Sequence, residues 1–217
     1  MANKSYEQYC GIAAALDKVG ERWTLLVLRE LSFGPQRFTD LRAALPGIAS
    51  NLLTERLRHL EQDGLVDQRE LPAPAARTVY ALTAEGRRIV PVLRALAQFG
   101  LPFLGDPAGH EVRPRHAVYG GLAAVLDPVA ARGVDLRIRL DLDGEEHWLE
   151  VRDGQIVRAD RSAAPDVVIA GSAAALAELC RGATAESLAP RLTITGTAAD
   201  KSRFRRIFPP QHLGVAG

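Results

Sequence analysis

Residues 47–66, GIASNLLTERLRHLEQDGLV, read as a capped amphipathic helix that runs straight into a strand. With Leu53 set at zero and about 100° per residue, Leu57 and Leu60 fall beside it, while Asn51, Glu55, Arg58 and Gln62 fall opposite and Thr54 lies at the flank. The leucine stripe requires a core to cover it. In an isolated segment, solvent alone would explain the polar side, so the flanking sequence has to decide what that face touches.

On the N-terminal side, Phe38 to Leu45 read as a short helix and Pro46-Gly47 as a turn; Ser50 to Gln62 form the next helix, stopped at Asp63-Gly64. Two further helical segments precede them, Cys10 to Val19 and Arg22 to Leu31, the second with Trp23, Leu26, Val27 and Leu31 at helical spacing. Downstream the period changes. Leu65 to Leu71 and Thr78 to Leu82 are strand candidates around Pro72-Ala73-Pro74-Ala75-Ala76-Arg77, whose two prolines forbid a continuous ladder and give a hairpin with a stiff, exposed tip. Thr83 is suited to cap a long closing helix marked by Ile89, Val92, Leu93, Leu96 and Phe99.

Helix, turn, helix and projecting hairpin is the order of a winged helix-turn-helix, which lays its second helix in the DNA major groove. The residue types suit that placement. Ser50, Asn51 and Thr54 near the helix N-terminus can bond phosphates or base edges; Asn51 matches adenine, Glu55 can accept from cytosine, and Arg58 can bond guanine or phosphate. Arg77 at the hairpin base, with Arg69 across it, is placed for minor-groove or phosphate contact, and Arg37 before the third helix for another phosphate.

Gly105-Asp106-Pro107-Ala108-Gly109-His110 concentrates turn residues where the helical pattern ends, so a second domain is expected after it. His116 to Leu126 read as a helix. Val134 to Leu140 alternate as a half-buried strand, and Trp148 to Arg152 and Gln155 to Arg158 flank Asp153-Gly154, a two-residue hairpin signal. Val167 to Ile169 and Leu192 to Ile194 add strands, and Ala173 to Cys180 and Ala199 to Phe208 add helices. The expected fold is α+β: an N-terminal winged helix-turn-helix domain at 1–104, a linker at 105–112, and a smaller α+β domain with an antiparallel sheet at 113–217.

Bulk properties narrow the classes. The chain has 217 residues, 47% hydrophobic, enough for a sizeable core in one large or two small domains. No run reaches the roughly 18 apolar residues of a membrane helix, and Met1 to Glu7 lack a signal-peptide core, so a soluble, cytoplasmic protein without a membrane partner is expected. Net charge is +1, which disfavours binding polyanions by overall charge. Residues 1–104 hold 13 Lys and Arg against 11 Asp and Glu, so a local patch in the N-terminal half is where nucleic acid would bind. Cys10 and Cys180 make no disulfide framework and no CxxC motif. Residues 105–217 carry no histidine ligand spacing, nucleophile elbow or phosphate loop, so no enzyme, metal or cofactor is expected.

The spaced series Cys10, Ala15 to Leu31, Arg37-Phe38-Thr39-Asp40-Leu41, Pro46-Gly47-Ile48, Leu53, Arg56-Leu57, Leu60-Glu61, Gly64-Leu65-Val66 and Tyr80-Ala81-Leu82-Thr83 with Gly86 closely resembles the HxlR family, winged-helix bacterial regulators distantly related to MarR. The resemblance covers roughly residues 9 to 104 and departs from the family's usual proline-rich turn at Leu71 to Ala76. It implies a homodimer built mainly from the first and last helices of the domain, on double-stranded DNA with an inverted-repeat operator; Ile12, Leu16, Leu93 and Leu96 are the expected interface, with ordinary core burial explaining them nearly as well. It also implies that Cys10 matches a position where some members sense oxidants, beside the plainer reading of Cys10 as a packing residue.

The C-terminal series His147 to Ile156, Asp166 to Ser172 with Leu176 and Leu179, and Leu192 to Gly196 before Phe204, Ile207 and Phe208 resembles a sterol carrier protein type domain, whose fold encloses an apolar ligand tunnel. On that likeness Leu136, Ile138, Trp148, Leu149, Leu176, Leu179 and Phe204 are candidate lining residues for a hydrophobic small-molecule effector. A filled core serving as a spacer or dimerisation module fits equally. The leading expectation is a dimeric transcriptional regulator. Its alternatives are an oxidant-responsive regulator using Cys10, and a ligand-binding module whose winged helix contacts protein.

Overall fold

Leu53, Leu57 and Leu60 lie on α4 (Ser50–Gln62) and are at most 1% exposed. Their cover comes from Val19 of α1 (Gly11–Val19), Val27, Leu28 and Leu31 of α2 (Thr24–Ser32), and Leu41 of α3 (Phe38–Ala44). The computed structural model describes residues 5–71, 77–105, 112–159 and 161–209, with only the backbone of Leu71 and Arg158. The chain forms two compact units, Met1–Leu93 and Arg94–Gly217. The expected linker at 105–112 falls within the second, and its residues 106–111 lie outside the described ones.

In the first unit α4 leads through Gly64, at φ +70, into β1 (Val66–Leu71), which pairs antiparallel with β2 (Arg77–Leu82). The left-handed φ at Gly64 is the glycine stop read from the sequence. The tip, 72–76, lies outside the described residues. A third strand segment was not expected: Gln36 exchanges backbone hydrogen bonds with Tyr80 at 2.9 and 2.7 Å, tying the α2–α3 connection to the hairpin.

Thr83 does not cap the closing helix directly. Its Oγ1 donates to the Gly64 carbonyl at 2.7 Å and accepts from the Gly86 amide at 2.9 Å, starting a 3-10 turn (Gly86–Ile89) before α5 (Val90–Gly100). Glycine is required here by space: a Cβ on Gly86 would sit 1.9 Å from the Leu65 carbonyl oxygen.

The second unit begins its own packing with α6 (Pro114–His116), a π-helical stretch (Ala117–Leu122) and α7 (Ala123–Val125), a single helical run with a widened middle. Its sheet contains β3 (Leu136–Leu142), β4 (Glu145–Arg152), β5 (Gln155–Arg158), β6 (Val167–Gly171) and β7 (Leu192–Gly196), in the order β5-β4-β3-β6-β7. Asp153-Gly154 makes the expected hairpin; Asp143-Gly144, the same dipeptide signal, makes another between β3 and β4, extending both strands beyond their expected limits.

The sheet is mixed, which corrects the expected antiparallel one: β3 and β6 are parallel. Register explains how so short a connection allows this. Arg158 at the end of β5 stands opposite Leu149, Leu149 opposite Ile138, and Ile138 opposite Val167 at the start of β6. Leaving β5 and entering β6 in the same row, the chain crosses only three strand spacings, about 14 Å, and needs no return helix.

One face of this sheet, carrying Leu136, Ile138, Leu140, Leu142, Leu149 and Val151, is covered by the helical run, by α8 (Ala173–Cys180) and by Phe204 and Ile207 of α10 (Ala198–Ile207). The short α9 (Ala185–Leu188) adds Leu188. Alternation puts Arg137, Arg139, Glu150 and Arg152 on the other face, where Arg152 meets Glu150 at 2.7 Å and Arg139 meets Asp141 at 3.1 Å.

Candidate nucleic-acid interface

The polar side of α4 remains open in the structure. Ser50, Asn51, Thr54 and Arg58 are exposed and Glu55 half-buried; Asn51, Glu55 and Arg58 lie opposite the three core leucines, Thr54 at the flank and Ser50 at the exposed first turn. The helix is less capped than its sequence suggests. Its N-cap is Ala49, which has no side-chain oxygen, so the orphan amides of the first turn receive no side-chain acceptor. An open N-terminus beside Ser50 and Asn51 offers N–H donors and the positive end of the helix dipole to an anion.

The individual side chains differ in readiness. The Thr54 hydroxyl donates to the Ser50 carbonyl at 3.0 Å, which leaves its oxygen as an acceptor. Arg58 Nη2 rests 3.0 Å from His59 Nε2. Arg37 occupies the N-cap position of α3, where its backbone N–H donates to Asp40 at 3.3 Å and its side chain is half-exposed.

On the hairpin, Arg77 is exposed and pairs in register with Leu71, not with Arg69, whose partner is Val79. The two-pair offset follows from the register fixed by Val66 against Leu82 at the buried end. Arg69 and Arg77 still share a face, because paired and next-but-one residues point the same way. Arg69 donates from Nε and Nη2 to Asp67, each at 2.9 Å, so its charge is already partly matched.

Two features escaped the sequence reading. Arg42 on α3 is exposed and, among the described residues, bonded to nothing, on the helix that crosses the phosphate backbone in this architecture. Arg56 points the opposite way from Arg58: it is 8% exposed and reaches Glu21 at 3.2 Å. The wheel position of Arg42 would have found it, and the wheel that sets Arg58 opposite the leucines sets Arg56 beside Leu60.

Cys10 is exposed at the N-cap position of α1. The amides of Ala13 and Ile12 hydrogen-bond its thiolate form and hold its pKa below the ordinary thiol value. The cations Lys18 and Arg22 are not what lowers it; the helix end is. Cys180 is buried, and desolvation alone pushes its pKa up to about 12.

Of the seven lining candidates in the second unit, Leu136, Ile138, Leu149, Leu176 and Phe204 are buried together in one packed core, and Leu179 packs on its edge. Trp148 faces a cleft with Tyr119, His147, Ala159 and the ion pair of Arg161 with Glu146 at 3.1 Å.

Residues 18–106 match the HxlR-like helix-turn-helix family. An HTH-type transcriptional regulator of Methanothermobacter thermautotrophicus is 35% identical over 94 residues, covering 43% of this chain and 72% of that protein. A second, from a Synechocystis species, is 42% identical over 95 residues, covering 44% and 70%. A third, from Mycobacterium tuberculosis, is 40% identical over 109 residues, covering 50% and 68%. Among solved structures, a MarR-family regulator from Porphyromonas gingivalis aligns at 28% identity and a TM-score of 0.42, over 46% of this chain and 99% of that one.

Proposed function

The chain belongs to the HxlR-like helix-turn-helix family, and on that premise we propose that it is a transcriptional regulator that binds an inverted-repeat operator as a homodimer, with α4 in the major groove. The observation that carries this reading is the division of α4 into a buried leucine side and an open polar side headed by an uncapped N-terminus. Ser50, Asn51, Thr54, Glu55 and Arg58 are proposed to read bases or hold phosphates, with Arg37, Arg42, Arg69 and Arg77 on the backbone. The dimer reading is supported by large apolar side chains left in water: Ile12 at 74%, Leu16 at 40%, Leu96 at 45% and Phe99 at 71%. Leu93, the other expected interface residue, instead packs on the core of the first unit.

The second unit is proposed as a sterol carrier-like sensor of a small molecule, without catalysis. A ligand there can change DNA affinity only by as much as it prefers one arrangement of the dimer over another. The packed leucines leave little room for a large apolar guest, so the cleft at Trp148 is the better entry. A second reading is favoured by Cys10, whose exposure and lowered pKa suit an oxidant-responsive thiol.

The deciding experiment titrates the purified protein against its own upstream DNA at several salt concentrations, with and without hydrophobic metabolites. A specific complex that weakens steeply with salt is expected. Arg58→Ala should weaken it roughly tenfold and lower the slope of log affinity against log salt by about one if Arg58 holds a phosphate. Absence of any specific complex sinks the proposal.

A further inference from the structure

Two ion pairs fasten α4 to the residues around the end of α1. Lys18 Nζ, in the last turn of α1, meets Asp63 Oδ1 at 2.6 Å, and Glu21, just beyond that helix, meets Arg56 Nη2 at 3.2 Å. The pairs run in opposite senses: the cation comes from the α1 side in one and from α4 in the other. Neither α4 residue is placed where its own helix would favour it. Asp63 is the C-cap, where the helix dipole disfavours a carboxylate, and Arg56 is 8% exposed, a setting in which arginine is rarely found unpaired. Glu55 stands 4.0 Å from Arg56, but as its chain neighbour it ties nothing across the domain.

We infer that Lys18, Glu21, Arg56 and Asp63 are positioning residues: a crossed charge clamp that sets α4 against α1 and so sets the half-site spacing the dimer accepts. The inference rests on the DNA-binding and dimer readings above and concerns what fixes their geometry. Apolar packing alone specifies the placement loosely, because Leu53, Leu57 and Leu60 repeat at helical spacing and a slip of one turn, about 5.4 Å, sets leucine in place of leucine. Charge removes that freedom. Exchanging partners would bring Lys18 to Arg56 and Glu21 to Asp63, both like-charge contacts, so the observed placement is the one that matches both pairs. Pairs as open as these, with Lys18 53% and Glu21 64% exposed, contribute little to stability, which leaves placement as their main effect. Ile12 and Leu16 put α1 in the proposed dimer interface, so a shift of α4 along α1 is repeated by symmetry and enters the separation of the recognition helices twice.

The test titrates the full-length protein against a set of operator duplexes whose half-sites are moved apart or together by single base pairs. Wild type should prefer one spacing by about tenfold or more. Lys18→Asp, which sets one carboxylate against another at an exposed site, should reduce that preference to about twofold, and Arg56→Gln, which removes the buried cation, should do the same. Reversing the first pair as a whole, Lys18→Asp with Asp63→Lys, should restore the preference to within about twofold of wild type. Circular dichroism and the denaturation midpoint follow the fold of each variant; if Arg56→Gln does not fold, the exposed pair carries the test by itself. The inference is overturned by a wild type indifferent to spacing, by a preference unchanged in Lys18→Asp, by a loss that the paired reversal does not repair, or by a fall in affinity equal at every spacing. Each of these leaves the DNA-binding reading intact, whereas absence of any operator complex in the wild type overturns both.

Discussion

Arg56 and Arg58 stand two positions apart on one helix and have opposite surroundings. Arg56 turns inward to Glu21, and Arg58 turns outward to His59. Leu57 between them is 1% exposed. Leu57→Ala is expected to cost about 2–5 kcal/mol of stability, the range for deleting a buried leucine side chain. Operator affinity per folded molecule should be unchanged, measured by chemical denaturation and DNA titration on the same preparation. The two thiols make a second contrast. Cys10 should react with an alkylating agent at lower pH than an ordinary thiol, because its thiolate forms more readily, while Cys180 should react only after unfolding. The sign of the pH effect on stability follows for Cys180. Its folded pKa of about 12 lies above the ordinary 9.0, so the unfolded state loses its proton first, and stability should decline as pH rises from about 9 toward 12. Mass spectrometry of alkylated native protein, and denaturation midpoints across that range, check the pair.

At the level of elements, the amino end of α4 trades stability for binding. Ala49 has the extended backbone of an N-cap, φ −72 and ψ 143, without a capping oxygen. Aspartate there should cap the helix and stabilise the protein by about 1 kcal/mol. It should also set a carboxylate where a phosphate is proposed to bind, so Ala49→Asp is expected to raise the melting temperature and weaken operator binding together. A variant that gains stability and keeps full affinity would remove the phosphate from the helix end. The hairpin register is another element-scale outcome. Val66 opposite Leu82 at the core sets every pair above it, so Arg69 and Arg77 keep a common face even though they are not partners.

For the whole molecule, the proposed assembly follows from apolar surface that neither core covers. Ile12 and Leu96 lie on α1 and α5, outside both packed clusters. Ile12→Asp combined with Leu96→Asp should leave the folded chain intact by circular dichroism, give a monomer by sedimentation, and lower operator affinity by about a hundredfold or more through loss of the second half-site. A wild-type protein already monomeric at micromolar concentration would refute the dimer.

Local chemistry wrote much of this protein in its sequence. The limits of α4, the glycine stop at Gly64, the Asp153-Gly154 turn and the two-sided character of residues 50–62 depend on neighbours within a few positions, and periodicity reports such neighbours directly. What required the tertiary structure depends on residues far apart in the chain. Gln36 bonds Tyr80 across the first unit, β6 runs parallel to β3 because β5 ends in the row where β6 begins, and Gly86 is confined by a carbonyl at Leu65. For Arg56 and Arg58 the wheel already gives the directions, one beside the leucine stripe and one opposite it; the partners are what the chain settles at a distance. Only the packed structure sets Glu21 of the α1–α2 connection against Arg56 and leaves Arg58 half a turn away to solvent and His59.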